Sequence, residues 1–253
     1  MMITVLGIGG FRNEGLPFNS YCIDRRVLVD TPPDILQSLA KSGISLADLK
    51  AIVLTHFHGD HYFGLPFLLF NLYMDAQEHA KDAVDGFHRI TIFGPPDLEN
   101  KICQILSLAI HPDHAYISWC LEHCELVEIS EGLRYPLNCG IWLEFRHSVH
   151  SPETFSMMAG LADRDKPLFA ATSDTKWNES LLPLFDSGAR LFLCDSNGRG
   201  FGDVHMSPEE IAHFILPRLS GNARLLATHV SQKPSFQDAS LEFASPFTDY
   251  QVD

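Results

Sequence analysis

The sequence predicts an α/β protein in which two sheets pack face to face with helices on both outer sides, a four-layer α/β/β/α sandwich formed by residues 1–253 as a single domain. Strand-like apolar runs alternate with helix signals along the whole chain, the pattern expected of sheets covered by helices. The strands are apolar at successive positions, as in Ala51-Ile52-Val53-Leu54, so both of their faces call for burial. With 253 residues and 45% hydrophobic content there is enough apolar surface for one large core, and no stretch rich in Gly, Ser or Pro divides the halves.

The elements follow in order. Short strands are expected at 3–6, 20–23 and 26–29, with Gly7, Gly9 and Gly10 breaking the chain between the first two; together they read as a sheet edge. Asp30-Thr31-Pro32-Pro33-Asp34 opens a helix that runs through Ala40 and closes near Gly43, and Ser45 caps a second short one. After the strand 51–54 come a helix to about Met74, a polar stretch to His88, a strand at 90–93, the turn Gly94-Pro95-Pro96 and a helix through Ala109. The second half repeats the alternation, with strands at 141–145, 155–159, 168–172, 189–194 and 224–228. A helix is expected at 179–185, and Ser207-Pro208-Glu209-Glu210 starts another with a capping box and a proline at its first position. Residues after Ser231 read as a closing tail.

Composition narrows the function. Lys plus Arg number 18 against 32 for Asp plus Glu, and a net charge of −14 argues against a surface built for broad contact with a phosphate backbone. The longest apolar candidate, 63–74, is interrupted by Pro66 and Asn71 and falls short of the roughly 20 residues that cross a bilayer. The first residues lack the basic and apolar regions of a secretion signal, and six cysteines without framework spacing suit reduced thiols, so a soluble cytoplasmic protein is expected.

The chemistry concentrates in His56-Phe57-His58-Gly59-Asp60-His61, directly after the strand 51–54. Four metal-competent side chains fall within six positions, and a loop leaving a strand end can turn them onto one point where a regular helix or strand could not. The competing reading is a solvated turn in which three histidines gather. The strand before and the apolar helix after supply the context a ligand loop needs. Further ligands should lie at other strand ends: His147 and His150 after 141–145, Asp174 after 168–172, and His229 after 224–228. A second group, His111, His114, Cys120, His123 and Cys124, matches no closed four-ligand zinc pattern. Phe11, Arg12, Phe18 and Asn19 in the early Gly-rich loop face either the site entrance or ordinary packing.

Through Thr55-His56-Phe57-His58-Gly59-Asp60-His61, His147-Ser148-Val149, Thr172-Ser173-Asp174-Thr175 and Thr228-His229-Val230-Ser231, the chain resembles the metallo-β-lactamase superfamily over nearly its whole length. Leu28-Val29-Asp30-Thr31-Pro32-Pro33-Asp34 and the Phe93-Gly94-Pro95-Pro96 turn are similar to the branch holding the tRNA 3′-end processing nucleases and small phosphodiesterases such as that of the phosphonate operon. The resemblance implies two divalent metal ions, zinc first and manganese or iron as alternatives. It implies that His56, His58 and His147 hold one ion, that Asp60, His61 and His229 hold the other, and that Asp174 bridges them. The His-Ser-Val wording selects His147 and leaves His150 as a neighbour or substrate contact. The branch also carries a histidine before the last helix and an acid that orients it, here His205 and Asp195, where nuclease members more usually have a glutamate. Asp60, His205 and Asp195 are thus the implied catalytic groups.

A pair of ions would supply hydroxide at neutral pH and offset charge on a phosphoryl group, leaving His205 to protonate the departing alkoxide. The expected activity is hydrolysis of a small or cyclic phosphodiester. Structured RNA is disfavoured by the acidic charge and by the segment from Gly160 to Trp177, too short for a substrate-clamping arm. Acyl hydrolysis of a thioester or lactone competes, as does a non-hydrolytic role in cofactor biosynthesis. A redox role is disfavoured because diiron members resemble H-x-E-x-D-H, whereas His58 stands at the middle position here. No membrane partner is expected, and the resemblance allows a homodimer.

Overall fold

A computed structural model describes residues 1–79, 89–231 and 241–253. The first sheet contains β1 (Met2–Gly7), β2 (Ser20–Ile23), β3 (Val27–Val29), β4 (Ala51–Val53), β5 (Ile90–Gly94) and β6 (Cys124–Glu128). The second contains β7 (Arg134–Pro136), β8 (Ile141–His147), β9 (Phe155–Leu161), β10 (Phe169–Ala171), β11 (Leu191–Asp195), β12 (Arg224–Thr228) and β13 (Glu242–Phe243), and β14 (Thr248–Gln251) returns to the first. Their orders are β14-β1-β2-β3-β4-β5-β6 and β13-β12-β11-β10-β9-β8-β7. In each sheet an antiparallel half joins a parallel half, the change falling after β3 and after β10. The parallel strands send their carboxyl ends to a common edge, where crossover loops collect side chains from distant parts of the chain.

Alternation along the strands builds the layers. Val27 and Val29, Ala51 and Val53, and Leu191 and Leu193 face the core between the sheets, where Phe145, Phe155 and Phe169 are fully buried. Tyr21 meets Phe169 edge-on at 5.3 Å and Phe93 lies 6.0 Å from Phe145, tying one sheet to the other. The intervening residues Leu28, Ile52 and Leu54 face a helical layer made by α1 (Ile35–Lys41), α2 (Gly59–Tyr62), α3 (Leu65–His79), α4 (Leu98–Ala109) and α5 (Ala115–His123). On the far side Phe192 and Cys194 meet α6 (Leu182–Phe185) and the helix that begins as α7 (Pro208–Glu210) and continues as a π-helical turn, Ile211–Ile215. Burying a large apolar side chain contributes about 1.5–3 kcal/mol, so the double-sided strands explain the four expected layers. Among the described residues no helix is long and apolar enough to cross a membrane.

Three local expectations need correction. The closing tail after Ser231 instead supplies an edge strand to each sheet where it is described, β13 and β14; residues 232–240 lie outside the described part. Because β14 pairs with β1 from Met2 through Val5, the first three strands are interior rather than an edge. Sequence reasoning also left α5, β6 and β7 unassigned: β6 is largely exposed or half-buried and β7 ends in Pro136, so neither carries the continuous apolar signal of the central strands. The polar stretch to His88 lies outside the described residues from position 80 onward.

Gly64, between α2 and α3, shows how tightly the helical layer seats the loop it follows. Its N–H donates to Thr31 O at 2.8 Å, and a Cβ there would lie 2.0 Å from Pro32 O and 2.8 Å from Ile35 Cγ2. Gly64→Ala is expected to destabilise the fold by about 1–3 kcal/mol, seen as a lower denaturant midpoint at unchanged slope; an unchanged midpoint would show that this approach can relax.

Candidate metal centre

The ligand loop is held at both ends by one carboxylate. Asp30 directly follows β3 in the left-handed conformation, φ 61°, and is buried. Its Oδ1 accepts from the Thr55 N–H at 2.8 Å, and its Oδ2 accepts from the Thr55 hydroxyl at 2.9 Å and from His61 Nδ1 at 2.7 Å. With the Thr55 proton committed to Asp30, the contact of 3.1 Å between Thr55 Oγ1 and His56 Nδ1 requires the ring to donate. Both His56 and His61 therefore commit Nδ1–H to an outer oxygen and turn Nε2 inward.

A second buried carboxylate does the same across the sheet. Asp195, the last residue of β11, accepts from Thr175 N and His205 Nδ1 through Oδ2, at 2.9 and 2.7 Å, and from Asn197 N and His229 Nδ1 through Oδ1, at 3.1 and 3.2 Å. His229 follows β12 at φ 55°, and Ser173, beside Asp174, has φ 53°. Three of the converging strands thus end in a left-handed non-glycine turn, a backbone cost of about 1–3 kcal/mol each that recurs at functional sites.

The inward atoms meet at Asp174. Its Oδ2 lies 3.7 Å from His56 Nε2, 3.9 Å from His150 Nε2 and 3.4 Å from His229 Nε2, and its Oδ1 lies 3.3 Å from His61 Nε2. Asp60 Oδ2 is 3.5 Å from His61 Nε2 and 3.4 Å from His229 Nε2, and His58 Nδ1 is 3.3 Å from His150 Nε2. Among the described residues the clusters able to hold a cation are His56, His58, His150 and Asp174; Asp60, His61 and His229; and Asp174, Asp195, His205 and His229, all at this one place.

Whether such a centre fits a metal can be tested on polar atoms that nothing satisfies. His56 Nε2, His61 Nε2, Asp60 Oδ1 and Asp174 Oδ1 are buried without a hydrogen-bond partner, although several lie close to one another. Such atoms cost about 1–3 kcal/mol apiece, and four of them aimed at a common space is what a cation would resolve. The set of imidazole nitrogens and carboxylate oxygens, each imidazole oriented by an outer oxygen, suits zinc, manganese or iron. The residues present fit a metal site.

The electrostatics agree. Burial alone would raise the carboxyls of Asp60 and Asp174, yet their histidine neighbours hold both well below the usual range. Burial opposes charge on His229 and His61, but Asp174 with Asp195 and Asp60 pulls His229 up to about 10, and Asp174 with Asp30 raises His61. Burial, reinforced by neighbouring histidines, lowers His56, His58 and His150. Without a metal the acids thus share protons with His61 and His229, and metal entry would expel them.

One expected ligand is elsewhere. The His147 side chain is 47% exposed, lies against Phe155 at 4.5 Å and sits 3.6 Å from Glu153, outside all the clusters. The reason is strand length: β8 continues through His147, paired with Phe155, rather than ending at Phe145, so the chain turns over the site only beyond it. From this stretch it is His150, not His147, that joins the cluster. His56, His58, Asp60, His61, Asp174 and His229 converge, and His205 and Asp195 stand beside them. The second histidine and cysteine group does not gather: Cys120 and Cys124 are buried under the helical layer, and the His114 ring caps α5. Of the early loop, Phe11 and Arg12 are exposed, while buried Asn19 accepts from the Thr228 hydroxyl at 2.6 Å. Sequence reasoning missed Asp30 and Thr55 as orienting groups; an acid at the end of the strand beside the ligand-bearing one was the available signal.

Comparison with known proteins places this geometry. Ribonuclease Z of Picrophilus torridus is 37% identical over 110 residues, 42% of this chain and 33% of that protein, so the matched stretch spans about a third of the curated relative's length. The metallo-β-lactamase fold protein YhfI of Bacillus subtilis superposes with a TM-score of 0.74 at 19% identity, covering 99% of each chain. The short form of human tRNase Z does so with a TM-score of 0.71 at 18% identity, covering 100% of both. The model of the family described as Anti-Pycsar protein Apyc1 matches residues 1–245. With that match over nearly the whole sequence, on a metallo-β-lactamase fold, the chain belongs to the Anti-Pycsar protein Apyc1 family.

Proposed function

We propose that the protein is a binuclear metal-dependent phosphodiesterase acting on a small or cyclic phosphodiester, with residues 1–253 forming one functional domain in a reducing cytoplasm. His56, His58 and His150 would hold one ion, Asp60, His61 and His229 the other, and Asp174 both, with zinc the first candidate and manganese or iron compatible with the same donors. Divalent ions at such a site lower the pKa of water and offset charge on phosphoryl oxygens.

The observation that carries the reading is His205. Its ring lies 5.0 Å from His150 and 5.1 Å from His229, at the rim of the cluster, with the side chain 17% exposed. Burial opposes its protonation, but the hydrogen bond to Asp195 raises the pKa, so the ring tends to hold its proton near neutrality, with Nε2 free to donate. Donation to a departing alkoxide is the step a phosphodiester needs. Asp195 orients the ring and keeps Nδ1 occupied. The relatedness to ribonuclease Z supports phosphodiester chemistry. A net charge of −14 and the short connection between Leu161 and Phe169 favour a small substrate over a folded polynucleotide.

Elemental analysis tests the ligand set: His150→Ala should lose about one metal equivalent per chain while His147→Ala retains both, and the reverse would restore His147 as the ligand. Turnover tests the reaction. On a six-membered cyclic phosphodiester with an alkoxide leaving group, His205→Ala should keep its metal and lose about 10²–10⁴-fold in kcat, whereas Asp60→Ala should lose metal and activity together. Wild-type protein that hydrolyses acyl esters and lactones but no phosphodiester would overturn the assignment.

A further inference from the structure

We infer that Glu210 is a positioning residue for His205, acting through the loop that carries it; the inference rests on the proposed acid role of His205. A capping box uses one carboxylate oxygen, and Glu210 uses both. Oε2 accepts from the Ser207 N–H at 3.0 Å while Ser207 Oγ accepts from the Glu210 N–H at 3.2 Å, which completes the cap of α7. Oε1 reaches back over the loop and accepts from the Gly202 N–H at 2.9 Å. Glu210 is 2% exposed, a buried side chain whose second oxygen serves nothing in the helix.

The segment held in this way is Asn197-Gly198-Arg199-Gly200-Phe201-Gly202-Asp203-Val204-His205, with three glycines and with Gly202 at φ 78°. Its start is tied across the fold, Asn197 Oδ1 accepting from the Ser231 hydroxyl at 2.6 Å, but the bonds of its tip are local: Asp203 accepts from Arg199 N at 3.0 Å and from Val204 N at 2.7 Å, and Arg199 and Val204 are exposed. At the base of the loop Gly198 N donates to Met206 O at 2.9 Å, and just beyond His205 Met206 N donates to Thr175 O at 2.7 Å. One side of His205 is thus anchored to the segment after β10, and the other to the last helix, through the Gly202 bond to Glu210 and the Phe201 ring 5.8 Å from Phe214. Asp195 fixes the ring at Nδ1, but where Nε2 lies depends on the backbone, and a displacement near 1 Å can cost about 10²-fold in rate.

Glu210→Gln separates this role from helix capping. The amide oxygen can still accept from Ser207 N, but the amide nitrogen then meets the Gly202 N–H donor to donor, so the cap stays and the loop anchor goes. In the metal-loaded protein the variant should retain metal, melt a few degrees lower because a buried N–H loses its acceptor, and lose about tenfold or more in kcat, with KM little changed, on the alkoxide-leaving cyclic diester. On bis(p-nitrophenyl) phosphate, whose leaving group needs no proton, it should lose less than about twofold. Adding it to His205→Ala should cost nothing further, because both act on the same proton. Hydrogen exchange should quicken in the peptide spanning 198–204 and not in α7. Parallel losses on both diesters, an additive double variant or unchanged exchange would each overturn the inference. If wild type cleaves neither diester, the proposed function fails, and exchange at 198–204 alone decides whether Glu210 anchors the loop.

Discussion

The contact on which the site depends is the buried carboxylate of Asp30, which grips Thr55 at the start of the ligand loop and His61 at its end. A short loop leaving a strand has many conformations, and ordering each residue costs about 1–2 kcal/mol in backbone entropy. Three hydrogen bonds to one acid reduce those alternatives and settle the tautomers of His56 and His61. Asp195 repeats the device, fixing His229 and His205 with one carboxylate and joining the cluster to the histidine at its rim. The result is preorganisation: imidazoles point inward before any cation arrives.

The sheets make that arrangement reachable. Parallel halves bring the ends of β3, β4, β10, β11 and β12 to one edge, although Asp30 and His229 are almost 200 residues apart in sequence. The inner core, from Val29 and Val53 to Phe169 and Leu193, holds the two edges in register. Acids and histidines gathered there lack hydrogen-bond partners at four buried atoms, a cost that the surrounding packing sustains in the metal-free protein and that a cation would relieve. Strain in the left-handed turns at Asp30, Ser173 and His229 belongs to the same balance.

Much of this was legible in the sequence because the relevant signals are local. Apolar runs with both faces buried give the central strands, and six residues of the ligand loop carry their chemistry on their surface. The capping box at Ser207 and Glu210 also forms as expected, although its reach to Gly202 could not be read from spacing. What failed depended on tertiary context. The extension of β8 by two residues carries His147 away from the cluster and leaves His150 in it, and strand ends are set by pairing partners rather than by propensity. The edge strands β6, β7, β13 and β14 are short or partly exposed, so they lack the continuous apolar run that marks β4 or β11.

The central claim is that seven side chains from both sheets form one two-ion centre. Anomalous diffraction from crystals grown with zinc or manganese tests it directly. Two peaks are expected, one within bonding distance of His56, His58, His150 and Asp174 and one within bonding distance of Asp60, His61, His229 and Asp174. A single peak, or a peak bound by His147 with His150 turned away, would contradict it.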